Sequence, residues 1–323
     1  MVIAEPGGPE VLEERDVPTP DPGPDEIRVK IAATAVNRAD LLQRMGLYPA
    51  PKDAPQEIPG LEYAGVVDAC GSRVNDFRKG DRVFGLASGG TYAEYVVVHE
   101  RTAAPIPSGI SFSDAAAFPE GFLTAYDALV SQGALAPGET VLIHAVGSGV
   151  GTSALQIVTM FGGISIGTAR SEDKLTRAKE LGMTHGVLVK EAAFAREVLT
   201  LTQGAGFDLA LELVGGAYVS EDVQCARRGG RIMLVGLLAG RSAEVDLGTV
   251  LRQRITLRGT VLRSRPLEEK ILLGDTLRRH LAPLFHSGKL RPAVSATFSL
   301  SEARRAHEAM AANEGFGKIV LSV

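Results

Sequence analysis

The sequence predicts an α/β protein of two domains, one β-rich and one built on a doubly wound parallel sheet. Three observations carry this. The chain has 323 residues, and at roughly 100–200 residues per domain that length favours two domains. Residues 1 to about 120 are rich in Pro, Gly and short β-type runs. From about residue 122, short apolar strands alternate with helical stretches, the pattern of a parallel sheet covered by helices on both faces.

In the first domain, residues 27–35, 65–69, 82–85 and 92–98 read as strands, separated by turn clusters such as 18–24 and 87–90. Such spacing suggests a compact β-rich unit. In the second, residues 140–145 form a short apolar strand, followed by a glycine-rich turn and a helix over 150–161. Strand 164–168 and helix 172–181 come next. Strands 186–189, 207–213 and 231–235 are separated by 194–202 and 217–227, and 255–262 adds a further strand. These complete a six-stranded doubly wound sheet. A helix over 268–285, a strand over 293–298, a helix over 302–312 and a strand over 318–323 remain, and they are expected to return to the first domain. The expected boundaries are 1–121 plus 267–323 for the first domain and 122–266 for the second.

Hydrophobic residues make up 45% of the chain and charged residues 22%, enough apolar material for two cores. The net charge of -4 argues against a general affinity for nucleic acid or anionic membrane. The two cysteines, Cys70 and Cys225, form no CxxC pair, so neither a four-cysteine zinc lobe nor a disulfide framework is indicated, and a reducing compartment is the default. The first residues, MVIAEPGGPE, have neither the basic nor the apolar region of a secretory signal, and no uncharged apolar run is long enough to span a bilayer. A soluble, cytoplasmic protein is expected.

The glycine-rich turn reads His144-Ala145-Val146-Gly147-Ser148-Gly149-Val150-Gly151. It lies between an apolar strand and a helix, where glycines let backbone approach a pyrophosphate and the helix N-terminus offers unpaired N–H groups. The pattern is G-x-G-x-G rather than G-x-G-x-x-G, so a tight packing turn is the alternative; the βαβ unit that follows favours a dinucleotide. An NAD site calls for an acid at the end of the second strand, but the chain has Gly167-Thr168-Ala169-Arg170-Ser171 there. Arg170, Ser171 and Lys174 suit the 2′-phosphate of NADPH. Ser171 also reads as a simple helix cap, with Glu172 and Asp173 favouring the helix dipole.

Several further stretches complete a pattern: Asn37-Arg38-Ala39-Asp40-Leu41 with Gln43-Arg44 and Tyr48; Gly60-Leu61-Glu62; Pro119-Glu120-Gly121-Phe122-Leu123-Thr124-Ala125; Leu262-Arg263-Ser264-Arg265; and Gly317-Lys318-Ile319-Val320-Leu321. With the glycine turn, they identify a chain that resembles, over nearly its whole length, the quinone oxidoreductases of the medium-chain dehydrogenase/reductase superfamily. It is most similar to the branch of the p53-inducible quinone oxidoreductase. The resemblance implies a GroES-like first domain, a Rossmann second domain, a cleft between them, and a homodimer joined through the Rossmann sheet edges. It implies NADPH-dependent reduction of a quinone or a similar conjugated carbonyl.

Zinc-dependent relatives carry Cys at the position of Asn37 and Gly-His-Glu at Gly60-Leu61-Glu62. Neither Asn37 nor Leu61 is a credible zinc ligand, so no metal is expected. Carried over, Gly149, Val150 and Gly151 lie along the pyrophosphate. Arg170, Ser171 and Lys174 meet the 2′-phosphate. Val214, Gly236, Leu237 and Leu262 pass the ribose or nicotinamide by backbone contact. Thr124 positions the nicotinamide, and Lys318 reaches the phosphates. Asn37 and Tyr48 line the substrate pocket as the catalytic candidates, with the Tyr48 phenol also beside the cofactor and able to donate to the acceptor oxygen. Each has a plainer reading: Asn37 as a turn residue, Tyr48 as a loop anchor, Thr124 as a helix cap, Lys318 as a solvated strand end. Relatives often carry Tyr where this chain has Val189, which cannot hydrogen-bond; Lys190 is the candidate to compensate. They also usually have a few more residues of the first strand before Met1-Val2-Ile3.

Two other classes stand beside a quinone reductase. An NADPH-dependent alkenal or enone reductase needs the same hydride delivery. An NADPH-binding structural or RNA-binding protein is disfavoured by net negative charge, 5% aromatics and no Trp. A zinc alcohol dehydrogenase lacks its ligand set.

Overall fold

A computed structural model describes all 323 residues of the chain. Two compact units emerge: Met1–Leu123 with Leu262–Val323, and Thr124–Val261. The chain returns to the first unit at Leu262 rather than at 267. The cause is Arg263, which donates to the Ser88 carbonyl (2.7 Å) and to Gln43 Oε1 (2.6 Å).

The first unit opens with β1 (Val2–Ile3), β2 (Leu12–Glu13), β3 (Glu26–Val36), β4 (Glu62–Cys70), β5 (Arg82–Leu86), β6 (Tyr95–His99) and β7 (Ala103–Pro105). The second unit carries β8 (Thr140–Ile143), β9 (Ile164–Ala169), β10 (His185–Leu188), β11 (Phe207–Glu212), β12 (Ala226–Leu234) and β13 (Thr256–Gly259). The tail adds β14 (Val294–Ser299) and β15 (Lys318–Ser322) to the first unit.

β3 is the spine of the first unit. It pairs antiparallel with β4 on one edge, and its other edge is shared by β6 and the tail strand β15. β6 starts later than the expected residue 92. Thr91 and Tyr92 are buried, but side-chain bonds hold them: Thr91 to Thr34, and the Tyr92 hydroxyl to Asp40 and His307. Their apolar pattern reported burial rather than a ladder. The helix expected over 268–285 runs as Leu267–Thr276, a wider π-type turn over Leu277–Leu281, and Ala282–His286. Pro283 lacks the N–H that a regular turn needs, which accounts for the local widening.

The second unit is a six-stranded parallel sheet in the order β10-β9-β8-β11-β12-β13. The strand order reverses between β8 and β11, where α/β sheets of this kind bind ligands beyond the strands' carboxyl ends. The glycine turn follows β8, Arg170 follows β9, Val214 follows β11 and Gly236 follows β12. Val189 belongs to the core, packed with Leu142, Phe194, Val198 and Phe207, while Lys190 is exposed. No helix is long and apolar enough to cross a membrane.

At the carboxyl ends of β8 and β11 lies a buried polar group of His144, Glu212 and Asp222. His144 Nε2 meets Asp222 Oδ1 at 2.8 Å, and Nδ1 meets Thr168 Oγ1 at 2.9 Å. A neutral imidazole fits both, donating from Nε2 and accepting at Nδ1. Burial pushes the Glu212 carboxyl up to about 7 and that of Asp222 up to about 8, and holds His144 down to about 4.

This arrangement predicts a pH dependence of stability. The folded state keeps protons on Glu212 and Asp222 that the unfolded state releases in the ordinary carboxylate range, so their contribution is lost as pH rises through about 8. His144 acts oppositely, losing stability as pH falls from 6.5 through about 4. Asp222→Asn keeps an acceptor for His144 and removes one ionisation. Thermal unfolding between about pH 6 and 9 should show a flatter profile than wild type and a gain at the alkaline end. An unchanged slope would refute a buried proton at Asp222.

Candidate functional site

The turn after β8 is shaped by close backbone contact. Ser148 caps the helix Gly149–Met160, its hydroxyl accepting from the Gly151 N–H at 3.0 Å. A Cβ on Gly151 would lie 2.5 Å from the Ala145 carbonyl oxygen and 2.8 Å from the Val146 Cα and carbonyl oxygen. Gly151 therefore serves helix–strand packing, and its N–H is already spent. Gly149 and Val150 occupy the first helical positions, where N–H groups have no partner within the helix. Gly149 and Val150 offer donors to an anion, while the Gly151 N–H is held by the Ser148 hydroxyl.

Arg170 is exposed at the end of β9, and Ser171 is the N-cap residue of the helix Glu172–Glu180. The Ser171 hydroxyl makes no cap bond, so the simple helix-cap reading fails. The Lys174 stem lies against Gly147, where an added Cβ would come within 2.9 Å of it. This packing brings the lysine beside the glycine turn. Thr124 is within the helix Pro119–Tyr126 rather than at its cap, and its buried hydroxyl has no partner. The Val214 N–H donates to Glu212 Oε1 and its carbonyl accepts from Ala239. Gly236 packs tightly on Leu213, and Leu237 is exposed.

The first unit holds a second polar centre, organised around Glu62. Gly60 has φ +101°, a conformation that favours glycine, and a Cβ there would lie 2.2 Å from Thr91 Oγ1. The turn directs Glu62 inward, where it is fully buried. Its Oε1 accepts from Asn37 Nδ2 at 2.9 Å and from Lys318 Nζ at 2.5 Å, and its Oε2 accepts from the Glu120 N–H at 2.8 Å. Lys318 also donates to Asn37 Oδ1. The expectation that Lys318 reaches the phosphates, and the alternative of a solvated strand end, are both corrected: the residue is 4% exposed and its ammonium is held by Glu62 and Asn37. A buried charge is retained only where partners replace its hydration, and here both do. Leu262, 8% exposed, opens the return of the chain into this unit.

Asn37 is the N-cap of the helix Arg38–Arg44, and its N–H donates to Asp40 Oδ2 at 2.8 Å. Burial raises the Asp40 carboxyl to about 6, against its hydrogen bonds from the Asn37 and Gly60 N–H groups. Glu120 is raised to about 7, by burial first and by the Glu62 charge second. The Arg263 guanidinium lies over the Tyr48 ring, 5.4 Å from its centroid. Glu62, Glu120, Arg263 and Gln43 were not among the expected site residues, although each lies in a stretch that carries the family pattern. A charge set within a buried apolar stretch was the one local signal.

Comparison with known proteins agrees with this architecture. Residues 23–108 match the family model "Alcohol dehydrogenase GroES-like domain", and residues 149–274 match "Zinc-binding dehydrogenase". A quinone oxidoreductase of Pseudomonas aeruginosa is 36% identical over 320 residues, covering 98% of this chain and 96% of that protein. A quinone oxidoreductase of Sus scrofa is 30% identical over 318 residues, covering 98% and 94%. Among solved structures, the Escherichia coli quinone oxidoreductase complexed with NADPH superposes with a TM-score of 0.90 at 28% identity, covering 100% of this chain and 99% of that one. An NAD-dependent alcohol dehydrogenase superposes with a TM-score of 0.87 at 34% identity, covering 100% and 98%.

Proposed function

Because the chain belongs to the medium-chain dehydrogenase/reductase superfamily, we propose that it is an NADPH-dependent oxidoreductase that reduces quinones by hydride transfer without a metal. The observation that carries the reading is the conjunction of an open helix N-terminus at Gly149 and Val150 with the Arg170, Ser171 and Lys174 cluster beside it.

The residues fit the cofactor. The Gly149 and Val150 N–H groups would hold the pyrophosphate. Arg170, Ser171 and Lys174 would bind the 2′-phosphate, and the unpartnered Thr124 hydroxyl would take the nicotinamide amide. Val214, Gly236, Leu237 and Leu262 would border the ribose and nicotinamide. Bound there, NADPH supplies a hydride, two electrons with one hydrogen. Asn37 and Tyr48 would shape the acceptor pocket, the Tyr48 phenol donating to the acceptor oxygen.

The residues do not fit zinc. The position of a cysteine ligand in zinc-dependent relatives is Asn37, that of histidine is the buried, apolar Leu61, and Glu62 is engaged by the Lys318 ammonium. A dication would have to displace or adjoin a fixed positive charge. A conjugated acceptor suits such a site, because its own π-system spreads the charge that hydride delivers.

The test follows NADPH and NADH oxidation by absorbance with 1,4-benzoquinone, 9,10-phenanthrenequinone and an alkenal, in EDTA. Rapid, NADPH-preferring oxidation with a quinone is expected. A clear alkenal preference would keep the cofactor and move the substrate to enals or enones. Tight NADPH binding with no turnover of any acceptor would overturn the reductase reading.

A homodimer through the sheet edges belongs to the same reading. β13 is an edge strand with all four residues exposed. Leu257 and Val261 are each 52% exposed, and Leu247 and Leu251 on the preceding helix are 75% and 78% exposed. Exposed apolar surface of this kind marks an interface. Leu257→Asp is expected to convert a dimer to a monomer in sedimentation velocity, with the melting temperature of the fold retained. A wild-type protein that sediments as a monomer would refute the interface.

A further inference from the structure

The parallel register of the second unit gathers metal-ligating side chains from separate stretches of the chain. Ile143 pairs with Gly167 of β9 and with Leu211 of β11. The next residues, His144, Thr168 and Glu212, therefore stand side by side at the carboxyl ends of adjacent strands and project to one face of the sheet. The helix Ala217–Cys225 adds Asp222 to the same group. All four residues are at most 1% exposed.

The ligand atoms of His144, Glu212 and Asp222 all lie within 4.8 Å of one another. His144 Nε2 is 2.8 Å from Asp222 Oδ1 and 3.6 Å from Glu212 Oε2. These separations bracket the distance of about 3.3 Å between ligand atoms of a tetrahedral zinc ion. Glu212 is fixed by its other oxygen, Oε1, which accepts from the Val214 and Gly215 N–H groups. Glu212 Oε2 and Asp222 Oδ2 have no hydrogen-bond partner. Buried polar oxygens normally find one, so two such oxygens beside one imidazole point to a cation as their partner.

We propose that His144 Nε2, Glu212 Oε2 and the Asp222 carboxylate bind a divalent transition-metal ion, zinc fitting best, which ties the ends of β8 and β11 to the helix Ala217–Cys225. Imidazole with carboxylates suits zinc, and two carboxylates neutralise a dication. Calcium takes roughly six to eight oxygen ligands, more than this group offers. Magnesium keeps several waters, which suits a more open place than one walled by the Phe194 and Tyr218 rings, 4.8 and 5.0 Å from the His144 ring. Metal-bound histidines usually donate their other ring N–H to an oxygen, and Thr168 Oγ1, 2.9 Å from Nδ1, is placed to accept it. Binding thus moves the imidazole proton to Nδ1 and turns the Nε2 lone pair to the ion. The two carboxyl protons leave to water and the dication replaces their charge. The ion holds structure and takes no part in hydride transfer, so the proposal stands apart from the reductase reading.

The test measures zinc on the whole chain. Protein purified without chelator is dialysed against a small excess of zinc chloride, freed of loose metal by gel filtration and analysed for zinc by mass spectrometry. Thermal unfolding is followed before and after EDTA. Wild type is expected to retain one zinc per chain and to melt about 5 °C higher with zinc than after EDTA. A Glu212→Gln/Asp222→Asn double variant keeps acceptors for His144 and for the Val214 and Gly215 N–H groups. It is expected to fold, to retain less than about one-tenth of the wild-type zinc and to lose the EDTA-dependent shift. Asp222→Asn alone repeats the comparison if the double variant unfolds. Cobalt(II) should give the visible absorption of a tetrahedral ion in wild type and not in the variants. Zinc retained equally by a folded variant would place the metal on surface groups and overturn the proposal. A wild type that retains none would show that the two carboxyls hold a proton instead, and would overturn it too.

Discussion

Turnover with NADPH should fall about 100-fold in an Arg170→Ala/Lys174→Ala variant, while turnover with NADH stays within about threefold of wild type. The magnitude follows from two charge-assisted contacts to a phosphate, each contributing about 1.5–3 kcal/mol. Glu172 and Asp173 in the first turn and Arg177 and Lys179 in the last turn favour the helix dipole, so the helix itself should persist. The fold does not decide the choice of cofactor, because an NAD-dependent alcohol dehydrogenase shares it at a TM-score of 0.87. The discrimination has to come from residues at the end of β9, where no acid stands and Glu172 and Asp173 are exposed on the next turn. The check is kcat/KM for each nucleotide at a fixed, saturating quinone. A parallel loss with NADH would show that the cluster supports the fold rather than the phosphate.

Gly151→Val should weaken NADPH binding by at least about 100-fold and lower the melting temperature, since overpacking a rigid site costs about 1–3 kcal/mol or more. The atoms that a Cβ would meet are the Ala145 carbonyl oxygen and the Val146 backbone, none of which can swing aside as a side-chain end does. The helix Gly149–Met160 would have to move away from β8, and with it the open N–H groups of Gly149 and Val150. The effect arises through packing, because the Gly151 N–H is already held by Ser148. NADPH fluorescence titration and thermal unfolding measure it. Wild-type affinity in this variant would show that the turn does not hold the cofactor.

The two halves of the chain differ in how legible they were. In the second unit the signals are local. A strand, a glycine turn and a helix occupy consecutive residues, and right-handed crossovers leave few ways to order the six strands. Element ends moved by a residue or so in most cases; β12 moved further, beginning at Ala226 rather than 231, and β13 is shorter than 255–262. In the first unit the strands were legible but the polar centre was not. Lys318 and Asn37 are 281 residues apart, Lys318 and Glu62 are 256 apart, and Arg263 and Gln43 are 220 apart. No periodicity or spacing connects such residues.

The sequence by itself determined the two-part α/β fold, the place of the glycine turn after β8, the absence of an acid immediately after β9 and the residue types at Asn37, Leu61 and Glu62. Each of these depends on residue type within a short window, where periodicity, turn chemistry and ligand chemistry act. Only the tertiary structure decided that Gly151 serves packing while Gly149 and Val150 keep open donors, that Val189 belongs to the core, and that Lys318 points inward to Glu62 and Asn37. The physical reason is that the energy of a charge depends on its surroundings. A lysine at a strand end is stable in water and costly in a core, and what reverses the preference is a carboxylate and an amide brought to it from the far end of the chain.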